Sequence, residues 1–186
     1  KQTRGFEEAD RIGTKLAENV LSIMSGMVYA EPMRFCALSE TVEVPLRVIT
    51  NEQTMQARRV LAEAGGKIPS LLDGVPKEAY AKEILALARE AKTHVSTELQ
   101  IFQWDDAAVV FLPGEFFVEF GLEIKRRSPF SNTFVVGLAN DYLGYVPTER
   151  AFEEGGYEVQ TARTSKLQPV AGPMMVERLL QMLGSL

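Results

Sequence analysis

The sequence has little with which to cross-link itself, enter a membrane or grip a polyanion. It contains one cysteine, Cys36, so no internal disulfide can form. That count says nothing of compartment, because many secreted domains also do without disulfides. No apolar run approaches the ~20 residues that a membrane helix needs, and no transmembrane segment is expected. The formal net charge of −5 leaves no basic field for phosphates, so nucleic acid is not an expected partner. The opening residues Lys1-Gln2-Thr3-Arg4-Gly5 include neither an initiating methionine nor the apolar stretch of a signal peptide, and they read as a cut end.

What is present suits one core: 186 residues, 46% of them apolar. Apolar positions three and four apart predict a helix over Phe6 to Val28, with Pro32 just beyond it. Alternation from Phe35 to Val48 predicts a strand exposed on one face, with Pro45 tolerable at an edge. Asn51 can cap a helix that stops at Gly65-Gly66, residues 67–74 form a connector, and Pro76 opens a third helix ending near Lys92. His94 to Phe102 alternates again. Asp105-Asp106 turns that strand into Ala107 to Leu112, a run expected to be buried on both faces.

The most informative stretch follows. Strand Ala107 to Leu112, the break Pro113-Gly114, a helix from about Glu115 to Arg127, the break Ser128-Pro129 and strand Thr133 to Leu138 make a βαβ unit. Its strands run parallel, so both end on one edge of the sheet, where sites of open α/β sheets assemble. Asn140 to Tyr157 reads as a loop with a short helix around Glu149 to Glu154, and a last helix runs from about Pro173 to Leu183. The expected fold class is α/β: a mixed sheet with a βαβ unit flanked by helices, in a single domain.

Pro113-Gly114-Glu115 and the loop bearing Asn140, Tyr142 and Tyr145 therefore share an edge. Each residue has an ordinary reading. Glu115 in a first helical turn is favoured by the helix dipole alone. Tyr142 and Tyr145 can bury their rings and leave the hydroxyls wet. Gly155-Gly156 before Tyr157 can be a helix cap, His94 a surface residue, and Cys36 a small buried hydrophobe.

The motifs Leu112-Pro113-Gly114-Glu115-Phe116, Gly137-Leu138-Ala139-Asn140-Asp141-Tyr142-Leu143-Gly144-Tyr145 and Gly155-Gly156-Tyr157-Glu158 occur in that order, with twelve positions from Tyr145 to Tyr157. In this the chain resembles the C-terminal part of the catalytic domain of neutral, non-lysosomal ceramidases, as a distant bacterial-type branch. The three motifs lie within roughly the last 80 residues of the chain. The resemblance implies that residues 1–186 are the C-terminal part of a ceramidase-like catalytic domain. It further implies hydrolysis of a lipid amide with zinc held by two histidines, a glutamate and a tyrosine, Glu115 and Tyr145 being the last two. Tyr157 would hydrogen-bond the oxyanion, Asn140 would hold the loop or a polar group of the substrate, and the compartment would be secreted or periplasmic.

A catalytic zinc usually takes three protein ligands, most often including histidine, and the only histidine, His94, precedes a strand on the far side of the Asp105-Asp106 turn. The N-terminal half of the same protein is thus the implied partner, and the 186 residues alone are expected to be inactive, with self-association of the fragment expected through the surface that half would cover. Phe116-Phe117-Val118-Glu119 stands where well-known ceramidases have a small, Thr-rich stretch. That leaves open two other readings: a hydrolase of the same fold acting on another amide or ester, and a non-catalytic binding or assembly module.

Overall fold

The computed structural model describes residues 4–29, 31, 34–65, 67–69 and 74–186. It comprises two compact units, residues 1–32 and 33–186. In the first, helix α1 (Phe6–Ser25) begins with Glu7 and Glu8 in the turn where carboxylates oppose the helix dipole, and it ends at Gly26. Its apolar stripe of Ile12, Leu16, Val20, Ile23 and Met24 is exposed. Pro32, expected to follow the helix as a break, lies outside the described residues.

The second unit is α/β. Strand β1 (Phe35–Pro45) is followed by a pair of packed helices, α2 (Asn51–Glu63) and α3 (Lys77–Glu90), and the chain then returns as β2 (His94–Trp104), antiparallel to β1 along its whole length. Thr50, rather than the expected Asn51, caps α2. Its hydroxyl accepts from Gln53 N while the Gln53 side chain accepts from Thr50 N, a reciprocal box that satisfies two otherwise orphaned donors. Pro76 stands as the cap of α3, one position before the helix. The expected Gly65-Gly66 stop and the 67–74 connector fall partly outside the described residues.

Beyond the Asp105-Asp106 turn come β3 (Ala107–Phe111), a two-residue strand β4 (Glu115–Phe116), α4 (Val118–Arg127) and β5 (Asn132–Val136). β2 and β3 are antiparallel, and β3 and β5 are parallel, as the βαβ reading requires. The sheet order is β1-β2-β3-β5. Helix α4 carries Lys125, Arg126 and Arg127 in its last turn, favourable to its dipole, and ends at Ser128, which the following Pro129 holds in extended conformation. Strand β6 (Tyr145–Val146), the short α5 (Glu149–Glu154), a 3-10 turn (Tyr157–Val159) and α6 (Ala171–Gly184) complete the chain.

The core joins Leu99, Ile101, Ala108 and Val110 of the sheet to Phe120 and Ile124 of α4 and to Met175, Val176, Leu179 and Leu183 of α6. Because both helices pack on the same sheet face, the expectation that β3 is buried on both faces is corrected: Ala108 and Val110 are buried, while Ala107, Val109 and Phe111 are only half-buried. On that opposite face Phe35, Trp104, Phe134 and Val136 are exposed, with Phe102 packed edge-on to Trp104 and Phe111. Cys36, expected to be buried, is only half-buried.

These burials separate two leucines of otherwise equal chemistry. Leu179→Ala, emptying a fully buried site on α6, is expected to cost about 2–5 kcal/mol, whereas Leu122→Ala on the exposed side of α4 should stay within about 0.5 kcal/mol. Denaturant midpoints of the two variants measure the difference.

Candidate active site at the carboxyl edge of the sheet

The site is built where β3 ends. Leu112 N extends the parallel ladder to Val136 O at 2.8 Å, and the chain then turns through Pro113-Gly114. A side chain at 114 would bring its Cβ within 2.7 Å of Gly144 O, so only glycine lets the two backbones approach. Once they do, Leu143 N donates to Pro113 O (2.8 Å), Glu115 N to Gly144 O (2.9 Å) and Phe117 N to Val146 O (3.1 Å). These bonds form the parallel β4-β6 ladder. They also correct the sequence reading of Glu115, which stands in a strand and not in the first turn of a helix, because its N–H is committed to Gly144.

Gly144 has φ +87°, and a Cβ there would overlap the backbone of Thr164. On the far side of this close contact Tyr145 N donates to Thr164 O at 2.8 Å. Segments 113–116, 143–146 and 164 therefore lie backbone against backbone.

This scaffold pairs Glu115 directly with Tyr145, so both side chains stand on one face of the short ladder, on strands about 4.8 Å apart. Tyr142 donates its O–H to Glu115 Oε1 at 2.9 Å. The Tyr145 and Tyr157 rings meet edge to face, 5.6 Å between centroids and 85° between planes. One carboxylate and three phenols thus form a continuous cluster. Asn140 stands apart from it in bonding: its backbone is left-handed at φ +70°, and its amide donates to Gln100 Oε1 at 3.3 Å. The adjacent Asp141 accepts from the Thr97 hydroxyl at 3.1 Å and from Tyr142 N at 2.7 Å. Both residues pin the loop to β2.

Two of the phenols, Tyr142 and Tyr145, are biased toward the protonated form. The hydrogen bond with the Tyr157 hydroxyl, then burial, then the Glu115 charge raise the pKa of Tyr145 well above the tyrosine range. For Tyr142 the bond to Glu115 is the main cause of an upward shift, followed by burial. Glu115 lines a groove of about 540 Å³ with Phe116, Val118, Leu122, Val135 and Leu138. Tyr145 and Tyr157 line a separate pocket of about 370 Å³ with Val75, Ala79, Tyr80 and Arg163. At its rim Arg163 and Glu83 form a two-pronged ion pair at 2.8 Å, and the Arg163 bonds are the main reason that the Glu83 pKa is lowered.

As a metal half-site the cluster offers a carboxylate oxygen and a phenol oxygen, both acceptable to zinc. The count falls short, because no group of three His, Cys, Asp or Glu that could hold an ion occurs among the described residues. His94 is exposed at the start of β2, opposite Pro45, with Nδ1 3.1 Å from its neighbour Thr93 Oγ1. Tyr142 was placed on this edge by the sequence but given no role there. Its place on the edge followed from the parallel strands, whereas its bond to Glu115 depends on a loop fold that no local pattern encodes.

Two measurements probe this geometry. Gly144→Ala, strained in φ and overlapping Thr164, should lose more than about 2 kcal/mol of stability, read from its thermal midpoint. The folded pKa of Tyr145 lies above the ordinary value near 10, so the stability it contributes is complete below about pH 10 and is lost as pH rises through the folded value. Tyrosinate absorbance should accordingly show a late-ionising phenol that Tyr145→Phe removes, together with part of the alkaline loss of stability.

No family model matches the chain, and no curated protein sequence matches it. Among solved structures it is similar to the crystal structure of neutral ceramidase from Pseudomonas aeruginosa, with 16% identity and a TM-score of 0.49 over 81% of this chain and 28% of that one. It is also similar to a ceramidase complexed with C2, with 20% identity and a TM-score of 0.42 over 62% of this chain and 20% of that one. The chain therefore spans less than a third of the length of either protein.

Proposed function

We propose that these 186 residues supply part of the active site of a zinc-dependent amidohydrolase acting on a lipid amide, in the manner of the neutral ceramidases whose motifs they resemble. The observation that carries this reading is the direct pairing of Glu115 with Tyr145. It sets a carboxylate and a phenol side by side on a ladder at whose glycines an added Cβ would overlap the facing backbone, at the edge where α/β sheets assemble sites.

In this reading Glu115 and Tyr145 are two of the zinc ligands, and the remaining ligands come from polypeptide outside the 186 residues. When bound, zinc supplies Lewis acidity toward an amide carbonyl and lowers the pKa of bound water. The chain's own residues do the rest. Tyr142 orients the Glu115 carboxylate through its 2.9 Å hydrogen bond. Tyr157, edge-on to Tyr145, presents a hydroxyl able to donate to an oxyanion. Asn140 acts at one remove, holding the loop through Gln100. The apolar groove beginning at Glu115 suits an apolar portion of the substrate.

A second reading, a non-catalytic assembly module, draws on the sheet face bearing exposed Phe35, Trp104, Phe134 and Val136, a patch of the kind that covers itself with a partner. Zinc content separates the two. In a polypeptide that carries this chain together with the missing ligands, Glu115→Ala should lower zinc stoichiometry and abolish amide hydrolysis, while the 186-residue chain alone should bind zinc weakly. Unchanged zinc in the Glu115→Ala protein removes Glu115 from the ligand set.

A further inference from the structure

A guanidinium taken out of water needs acceptors spread around its plane, and usually a carboxylate as well. Arg47, two residues beyond β1 and half-buried, has the acceptors and no ion pair among the described residues. Its Nε donates to Leu167 O at 2.9 Å. One terminal nitrogen donates to Val159 O at 2.8 Å and to Thr161 Oγ1 at 3.0 Å, and the other to Ser165 Oγ at 3.0 Å. The Phe152 ring of α5 lies against the guanidinium, 4.7 Å from ring centroid to Cζ. Burial lowers the pKa to about 10, so the group remains a cation at neutral pH.

What Arg47 grips is the segment that carries Tyr157. Val159 closes the 3-10 turn that Tyr157 opens. Ser165, almost wholly buried, donates its own hydroxyl proton to Glu158 O at 2.5 Å, so two successive carbonyls of the turn are tied to one side chain, the first through a relay. Between these contacts lies Thr164, whose carbonyl accepts from Tyr145 N. The backbone of Arg47 joins in, its N–H donating to Lys166 O at 2.9 Å. A single residue thereby fastens both the turn of Tyr157 and the strand of Tyr145 to one loop.

We propose that Arg47 is a positioning residue of the candidate site, its guanidinium fixing the turn of Tyr157 so that this phenol stands edge-on to Tyr145. Its catalytic consequence rests on the function proposed above, while the geometric claim stands independently of it. Lysine cannot replace it: an ammonium has three donors and no plane to lie on Phe152, whereas four acceptors on three sides must be met.

The test begins with the chain itself. In folded Arg47→Ala the ring-to-ring nuclear Overhauser contact between Tyr145 and Tyr157 should vanish. The amides of Tyr145 and Gln160 should then exchange at least about tenfold faster, with those of β2 and β3 unchanged, and Arg47→Lys should not restore them. A folded Arg47→Ala that keeps the ring contact and the protection overturns the proposal. If that variant does not fold, Ser165→Ala, which cuts only the relay to Glu158, should weaken the same ring contact, and an unaltered contact overturns the proposal equally. In the complete enzyme Arg47→Ala should lower kcat with little change in KM and add nothing to the loss in Tyr157→Phe; additive losses would refute it. Should Tyr157→Phe alone leave turnover intact, the oxyanion role of Tyr157 fails, and the ring contact still decides the role of Arg47.

Discussion

The close approach of three backbone segments at Gly114, Gly144 and Thr164 is the constraint on which the candidate site depends. No side chain creates it, and at either glycine a single added carbon would prevent it. Given that contact, the hydrogen bonds of Glu115 N to Gly144 O and of Tyr145 N to Thr164 O follow as the way each buried polar group finds a partner. The side chains are then aimed by strand geometry, since residues paired in register stand on the same face. The Pro-Gly-Glu and Gly-Tyr motifs thus have a mechanical meaning: the glycine sets the approach, and the acid or phenol beside it inherits a direction.

Much of the architecture was legible in the sequence because it is written in periodicity. The long helices, β1 with β2, the Asp105-Asp106 turn and the parallel βαβ unit all have apolar patterns longer than one turn or four residues, bounded by glycine, proline or aspartate. The two-residue strands β4 and β6 were not legible, because pairs such as Glu115-Phe116 and Tyr145-Val146 carry no period at all. Glu115 was accordingly assigned to the helix that starts three residues later. Burial of β3 was overestimated for a related reason: a run such as Ala107 to Phe111 looks alike whether one face of its sheet is covered or both.

At the site, Glu115 and Tyr145 could be singled out from motif and spacing, but the bonds around them could not. Tyr142 to Glu115 spans 27 positions, and Arg47 to Val159 spans 112. Such contacts are set by where loops come to rest, and Arg47, lying just outside a strand among ordinary loop residues, has no local signature. The glycine motifs mark where chemistry can sit, whereas the residues that hold it in place are scattered through the chain.

The insertion of α2 and α3 between β1 and β2 has a consequence for how the molecule acquires its structure. The ladder that joins Phe35 to Trp104 at one end and Pro45 to His94 at the other closes a loop whose entropy must be lost before the first rung is rewarded. The hairpin of β2 and β3 and the neighbouring βαβ unit have no such debt and can assemble from nearby residues. Order is expected to spread from the middle of the chain outward, β1 arriving late with Arg47 just behind it, so the loop carrying Tyr157 acquires its fastening among the last events of folding.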